Sequence, residues 1–453
     1  MKKQFFYAAM ALAVMSSCSK DNDPGIGNPE ENNDKAVIAL GLDVPTVTAS
    51  TRGTGSVGDV AGDQNTWNSQ KLYIYMVDRN TGLEAEEGAE NAKTKILDNG
   101  VLEFRAPKAD AKDKGAIRIY KSYTEDSDNG VIQYKYYPTN GQYTFYGYHI
   151  DDAANANPSI TATEKKVTGV TIDGTQDLLA AKTIDMAEND ATAADPESFY
   201  KDIATSLGSE WTELMKYQFG ARTARKGIVP VLKFEHQLAR LKFFVRAGSA
   251  SAAGYEWQTS QWVERKSSDA AAKPLGMQVT KITLKDMANV VDMDLTVPSS
   301  TRNGAGVADF VVCSKDAAAN NKLDPTKGLI DPVVPKYPYE DANIPAQDPD
   351  TKGTQVGEPV MFFPIDDPDN GNITLSIDLK QYVEDTKDEA TGTITYKEVE
   401  KADNKLIIDQ SKISGATKKF MPGASYNVYI TIYGLEKIEV TAVLTAWENG
   451  GDI

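Results

Sequence analysis

Alternation with a period of two dominates the chain. Leu72, Ile74 and Met76 interleave with Tyr73, Tyr75 and Val77, and Tyr143-Thr144-Phe145-Tyr146-Gly147-Tyr148 is a short aromatic run. Ile373, Leu375, Ile377 and Leu379 interleave with Thr374, Ser376, Asp378 and Lys380. Tyr426, Val428, Ile430 and Ile432 do the same with Asn427, Tyr429, Thr431 and Tyr433. Such alternation predicts strands with one buried and one wetter face, as in antiparallel sheets packed as sandwiches. Turn signals at Asp98-Asn99-Gly100, Asp128-Asn129-Gly130 and Asp369-Asn370-Gly371 punctuate the runs. None of these turns has the ligand spacing of a calcium loop.

One helix interrupts the strands. Asp195 can cap it, Pro196 suits its first position, and Phe199, Ile203 and Leu207 follow at spacing four. Trp211, Leu214 and Met215 extend the pattern and Gly220 offers a stop, which makes this stretch an excursion between two β-rich halves. Over 231–246 the apolar positions shift phase. They are even at Leu232, Phe234 and Leu238 and odd at Leu241, Phe243 and Val245, so a bulge or bend is expected near Leu238-Ala239. His236 and His149 then read as core histidines with a satisfied ring nitrogen. Residues 314–358 are rich in proline and poor in large apolar side chains, which reads as a surface excursion.

Both ends of the chain carry separate signals. Lys2 and Lys3 precede an apolar run from Phe5 to Val14, too short to span a bilayer as a helix. The run ends in Met15-Ser16-Ser17-Cys18, which resembles a bacterial lipobox and implies that Cys18 is diacylated; an ordinary secretory signal is the alternative. Residues 19–35 read as a disordered tether. Ile38, Leu40, Leu42 and Val44 then form one strand face, followed by a polar, small-residue link containing Arg52-Gly53, the kind of segment proteases cut. Near the C-terminus, Ile438, Val440, Ala442 and Leu444 form a matching face before Trp447.

Cutting after Arg52 removes a strand with four inward side chains. At ~1.5–3 kcal/mol for each, the loss is on the order of 6–12 kcal/mol, against a whole-domain stability of ~5–15 kcal/mol. A neighbour's C-terminal strand could refill the groove, and head-to-tail exchange of this kind builds a filament. The alternative is that both segments are ordinary strands of a monomer.

Composition narrows the chemistry. The chain has 453 residues, room for two or three domains at ~100–200 residues each, and a formal net charge of −17. That sign disfavours nucleic acid as a partner. Two His and two Cys leave little for a metal, and no metal site or cofactor is expected. With Cys18 lipidated, Cys313 has no disulfide partner and is expected to be buried. Gly53-Thr54-Gly55-Ser56-Val57-Gly58 fits a dinucleotide fingerprint but no helical pattern follows it, and no nucleophile elbow is present. No catalytic residue is assigned and the chain is not expected to be an enzyme. Five Trp and twenty-one Tyr keep open a second reading, a monomeric surface lipoprotein that binds glycans.

The motifs together resemble the fimbrillins of the Bacteroidales, the type V pilus subunits. They are the lipobox at Cys18, the aromatic run at 143–148, Asp177-Leu178-Leu179-Ala180-Ala181, and Phe234-Glu235-His236-Gln237-Leu238-Ala239-Arg240-Leu241. To these are added Pro422-Gly423-Ala424-Ser425-Tyr426 and the ending Leu444-Thr445-Ala446-Trp447-Glu448-Asn449-Gly450-Gly451. Ser19-Lys20-Asp21-Asn22-Asp23 is similar to the acidic export tag of Bacteroidetes surface lipoproteins.

The resemblance implies an all-β chain of two tandem β-sandwich domains (transthyretin-like, Greek-key). It divides the chain into a signal at 1–18, a tether at 19–35, an N-terminal domain at 36–225 with a removable strand and link at 36–52, and a C-terminal domain at 226–453. It implies an outer-membrane lipoprotein precursor and cleavage between Arg52 and Gly53 by an arginine-specific, trypsin-like or gingipain-like protease. The displaced strand matches residues 36–45 and the donor strand 437–447. Implied partners are further copies of the chain and fimbrial anchor or tip subunits, with adhesion or biofilm formation as the outcome. Arg52 favours a stalk subunit over a tip or anchor.

Overall fold

The computed structural model describes residues 36–38, 40–43, 70–88, 92–97, 100–104, 118–119, 135–150, 159–161, 165–186, 200–258, 261–264, 275–315, 335, 353–365, 371–413 and 419–445. The first half contains β1 Gly41–Asp43, β2 Gln70–Asp78, β3 Glu86–Glu87, β4 Thr94–Lys95, β5 Gly100–Phe104, β6 Arg118–Ile119, β7 Tyr143–Ile150, β8 Ser159–Thr161, β9 Lys166–Thr171 and β10 Leu178–Thr183. Short helices α1 Lys201–Leu207, α2 Ser209–Met215 and α3 Ala221–Ala224 precede β11 Val231–His236. The second half contains β12 Ala239–Ala247, β13 Tyr255–Gln258, β14 Gln261–Glu264, β15 Gln278–Ala288, β16 Val290–Asp294, β17 Ser299–Arg302 and β18 Val307–Ser314. It continues through β19 Thr354–Phe362, β20 Ile373–Lys387, β21 Ile394–Ile408, β22 Ser425–Ile432 and β23 Ile438–Thr445. The chain is all-β, as its alternation requires. Among the described residues no helix is long and apolar enough to cross a membrane.

The largest sheet has seven strands in the order β1-β11-β10-β7-β2-β5-β6. Its neighbours pair antiparallel, except for β1, which runs parallel to β11. Both faces of this sheet are covered. Leu72, Ile74, Met76, Phe145, Leu179, Ala181, Leu232 and Phe234 enter one core. Tyr75, Tyr148, Ile150, Leu178 and Ala180 enter another. The positions expected to be wetter are therefore not wet: Tyr75 and Val77 are buried, and Tyr148 stacks on Tyr73 at 4.7 Å between ring centroids.

The first core is closed by Tyr200, Ile203, Trp211, Leu214 and Phe219 of the helical excursion, by Ile96 and Leu97 beside β4, and by the amino-terminal segment. The excursion thus sits on the N-terminal sheet. Asp195, Pro196 and Phe199 lie outside the described residues. The helix observed from Lys201 stops at Leu207 because Gly208 adopts φ +53°, and Gly220 begins α3 rather than ending its predecessor.

The second core extends through both halves. Hairpins β8–β9 and β16–β17 join into one four-stranded sheet, with Val290 opposite Thr171 and Val291 opposite Val170. Its apolar side chains Val167, Val170, Val291 and Met293 belong to the same core as the C-terminal sandwich, built from β19-β12-β22-β23 on β18-β15-β20-β21. Cys313 is buried and unbridged.

Of the two expected irregularities near Leu238 the chain takes the bend, at Leu238 itself, and there it crosses between sheets. β11 ends at His236 in the seven-stranded sheet, and β12 starts at Ala239 in the C-terminal sandwich. Strand β11, which follows residue 226, thus pairs in the seven-stranded sheet with strands of the first half. Backbone bonds pin the crossing: Gln237 N donates to Leu178 O at 2.8 Å, and Gly423 N to Leu238 O at 2.9 Å. His236 Nδ1 lies 3.0 Å from the Asp177 carboxylate, both groups buried. The buried Arg240 donates through Nε to Ser425 Oγ at 3.0 Å. Burial pulls its guanidinium down to about 10, and the Asp177 charge opposes that shift. One carboxylate thus serves groups on both sides of the crossing. Removing it leaves buried polar groups uncompensated, and Asp177→Ala should cost about 3 kcal/mol in chemical denaturation. A loss under about 1 kcal/mol would show that the joint does not depend on this charge.

Candidate assembly site

The amino-terminal segment follows its alternation where it is described. Tyr137 N donates to Ala36 O and Ile38 N donates to Lys135 O, each at 2.8 Å, with Val37 facing Tyr136. Beyond Leu40 the chain moves to the edge of the large sheet, where Gly41, Leu42 and Asp43 pair with Val231, Leu232 and Lys233. Ala36 is 7% and Ile38 5% exposed within the first core, Leu40 packs partly buried against it, and Val37 is 40% exposed. The segment is thus a strap with one end on 135–137 and the other on β11, holding its apolar face against the sheet.

Of the expected displaced face, Ile38 and Leu40 therefore point inward. Leu42 occupies the strand opposite Leu232, and Val44 lies outside the described residues, as do Cys18, Arg52 and Gly53. The described side chains support a smaller figure than four full burials. Ile38 in full and Leu40 in part come to roughly 2–4 kcal/mol, before the lost hydrogen bonds are counted.

The C-terminal segment forms β23, antiparallel to β22 from Ile432–Ile438 to Ser425–Thr445. It is the outer strand of its sheet. Its face is graded. Ala442 is buried, Ile438 and Val440 pack partly buried on the core, and Leu444 is 36% exposed. Residues 446–447 of the expected donor strand lie outside the described residues. Lys401 of β21 forms an ion pair with Glu436, just ahead of β23.

Two features of this site escape sequence reasoning. The wall formed by Lys135, Tyr136 and Tyr137 has no extended alternation to announce it, only a pair of tyrosines before Pro138. The parallel pairing of β1 with β11 joins segments about 190 residues apart, which local pattern does not encode.

The fold and these two edges define an all-β protein of stacked sheets whose two described terminal strands each occupy the rim of a sheet. No protein-family model matches the chain, and no curated protein matches it. Solved structures do. A protein from Bacteroides uniformis, provisionally described as a cell adhesion protein, is 12% identical, with 93% of this chain and 99% of that one covered at TM-score 0.43. The tip fimbrial protein Mfa3 of Porphyromonas gingivalis is 10% identical over 91% of this chain and all of that one, at TM-score 0.34. The fimbrial anchor protein Mfa2 of the same organism is 11% identical over 91% of this chain and 98% of that one, at TM-score 0.29.

The strap makes a direct contrast testable. Ile38→Ala should destabilise the intact chain by about 2–4 kcal/mol, whereas Val37→Ala should stay within about 0.5 kcal/mol. Urea denaturation of the two variants checks both, and equal losses would show that Ile38 carries no special burial.

Proposed function

We propose that the chain is a structural subunit of a surface fimbria, of the stalk type, exported as a lipoprotein through Cys18 and activated by cleavage between Arg52 and Gly53. The observation that carries this reading is the position of the strap. It supplies core side chains and the last backbone partners of β11, yet it is joined to β2 only through the link containing Arg52. Cleavage there leaves it held by noncovalent contacts alone. Its departure opens a sheet edge flanked by an apolar slot, and an open, flat edge is a template for another strand.

The donor in this reading is β23 of the next copy, with Ile438, Val440, Ala442 and Leu444 entering the slot vacated by Ile38, Leu40, Leu42 and Val44. An outer strand whose apolar face is half covered is the one a folded subunit can release at least cost. The exchange is head-to-tail and unclosed, so it continues into a filament. The partners are other copies of the chain, anchor or tip subunits at the filament ends, and an arginine-specific protease. The precursor is held at the outer membrane by its lipid, and the processed chain lies in extracellular fimbriae serving adhesion or biofilm formation.

Treatment with an arginine-specific protease should shift the mass by the segment ending at Arg52 and produce SDS-resistant ladders. Arg52→Ala should leave lipidated monomers. Filaments of normal length from Arg52→Ala would overturn the trigger. Chains lacking residues 437–453 should be processed yet fail to elongate on their own, and should shorten filaments when mixed with intact protein by accepting a strand without donating one. Electron microscopy of the mixtures decides this, and filaments from the truncated chain alone would remove β23 from the mechanism.

A further inference from the structure

A cleft of about 220 Å³ opens at one end of the seven-stranded sheet, with no residue of the strap in its lining. It lies where β2 and β10 end and β7 begins, and Lys165 closes it from the neighbouring sheet region. Strand β10 explains why it is there. Leu178 and Ala180 face the second core, and the next position on that face is Lys182, opposite Tyr146 of β7. The sheet face thus passes from apolar core to a charged hollow within one strand.

The charges in the hollow are unequally committed. Arg79 binds Asp185 at 3.1 Å. Lys165 Nζ donates to Gly82 O at 2.7 Å. Asp78 Oδ1 accepts from the backbone of Asn80 and Thr81, at 2.7 and 3.2 Å. Lys182 is half-buried, and among the described residues no hydrogen bond or ion pair is formed by its side chain. A half-buried ammonium beside a tyrosine ring and two carboxylates combines a cation for an anionic group, a flat surface for a ring, and acceptors for hydroxyl protons.

We propose that this cleft binds a pyranose residue that bears a carboxylate, such as a uronic or sialic acid unit of a glycan. The sugar carboxylate meets Lys182, the ring lies on Tyr146, and hydroxyls donate to Asp78 and Asp185. A hydrogen phosphate dianion fits the set less well, because those two carboxylates repel its double charge more than the single charge of a sugar carboxylate, and it brings one hydroxyl donor where the ring brings several. The cleft admits one ring, so recognition is of a single sugar unit and weak for one copy. Repetition along an assembly would multiply it. The site is distinct from the strap and from β23, so it stands or falls independently of the filament.

The experiment titrates the intact, uncleaved chain, followed by NMR or calorimetry, with methyl glucuronide, methyl sialoside, methyl glucoside and inorganic phosphate. At least one acidic sugar should saturate in the millimolar range, with the glucoside and phosphate about tenfold weaker or worse. Lys182→Met and Lys182→Gln should each weaken the acidic sugar about tenfold without moving the melting temperature. Absence of saturation by both acidic sugars overturns the proposal. So does equal binding of the glucoside or phosphate, or unchanged affinity in a folded Lys182 variant.

Discussion

Strand β11 is the constraint on which the N-terminal half turns. On one side it has the rest of a seven-stranded sheet; on the other it has three residues of β1. A buried backbone group without a partner costs about 1–3 kcal/mol, so an edge flanked by core cannot stand open at no cost. The strap answers this for the intact chain with few residues, of which Ile38 is the deepest placed. In the proposed exchange, a thin cover over a demanding edge is what would let another strand replace it. A wide, deeply interdigitated strand would stabilise the chain more and could not be replaced.

The C-terminal half shows the opposite balance. Strand β22 lies between β12 and β23, and Tyr426, Val428, Ile430 and Ile432 are fully buried from the β22 side. The core is therefore anchored one strand inward from the edge, and β23 contributes Ala442 and partly covered neighbours. Lending out β23 exposes less apolar surface than lending out β22 would. The crossing at Gln237-Leu238 ties the two halves together, since Asp177, His236 and Arg240 are all buried there. A shared core through β9 and β16 reinforces the tie.

The strand content was legible because alternation is local. Leu72, Ile74 and Met76 announced β2, and Ile438, Val440 and Ala442 announced β23. The second buried face of the large sheet was not legible, because tyrosine carries both an apolar ring and a hydroxyl. Tyr73, Tyr75 and Tyr148 fit a wet face by their hydroxyls and a buried one by their rings, and the stacked rings show which description applies. The phase shift near Leu238 was legible as an irregularity but not as a change of sheet, since the partners that distinguish the two, Leu178 and Gly423, lie far away in sequence. Arg240 lies where local pattern gives no guide to its partners. An arginine inside an apolar run suggests a wet position, yet the side chain is fully buried, because Ser425 and the Asp177 charge meet it.

Net charge decides what kind of contact can hold copies of this chain together. At −17 each copy repels the next, so attraction of opposite surfaces is a poor basis for assembly. At physiological ionic strength the Debye length is about 8 Å, and the repulsion between molecular surfaces is largely screened beyond that distance. What must be overcome at contact is short-ranged, and a hydrogen-bonded ladder with buried aliphatic side chains is short-ranged too. A strand of eight residues offers a ladder over its whole length, together with apolar burial at about 25 cal/mol per Å². In the proposed assembly, strand exchange therefore suits an acidic protein in salt: mutual repulsion would keep copies apart until an edge is opened. The same screening leaves a single uncommitted cation such as Lys182 effective only within its own cleft, where a small anion can approach it closely and the acidic surface beyond is out of range.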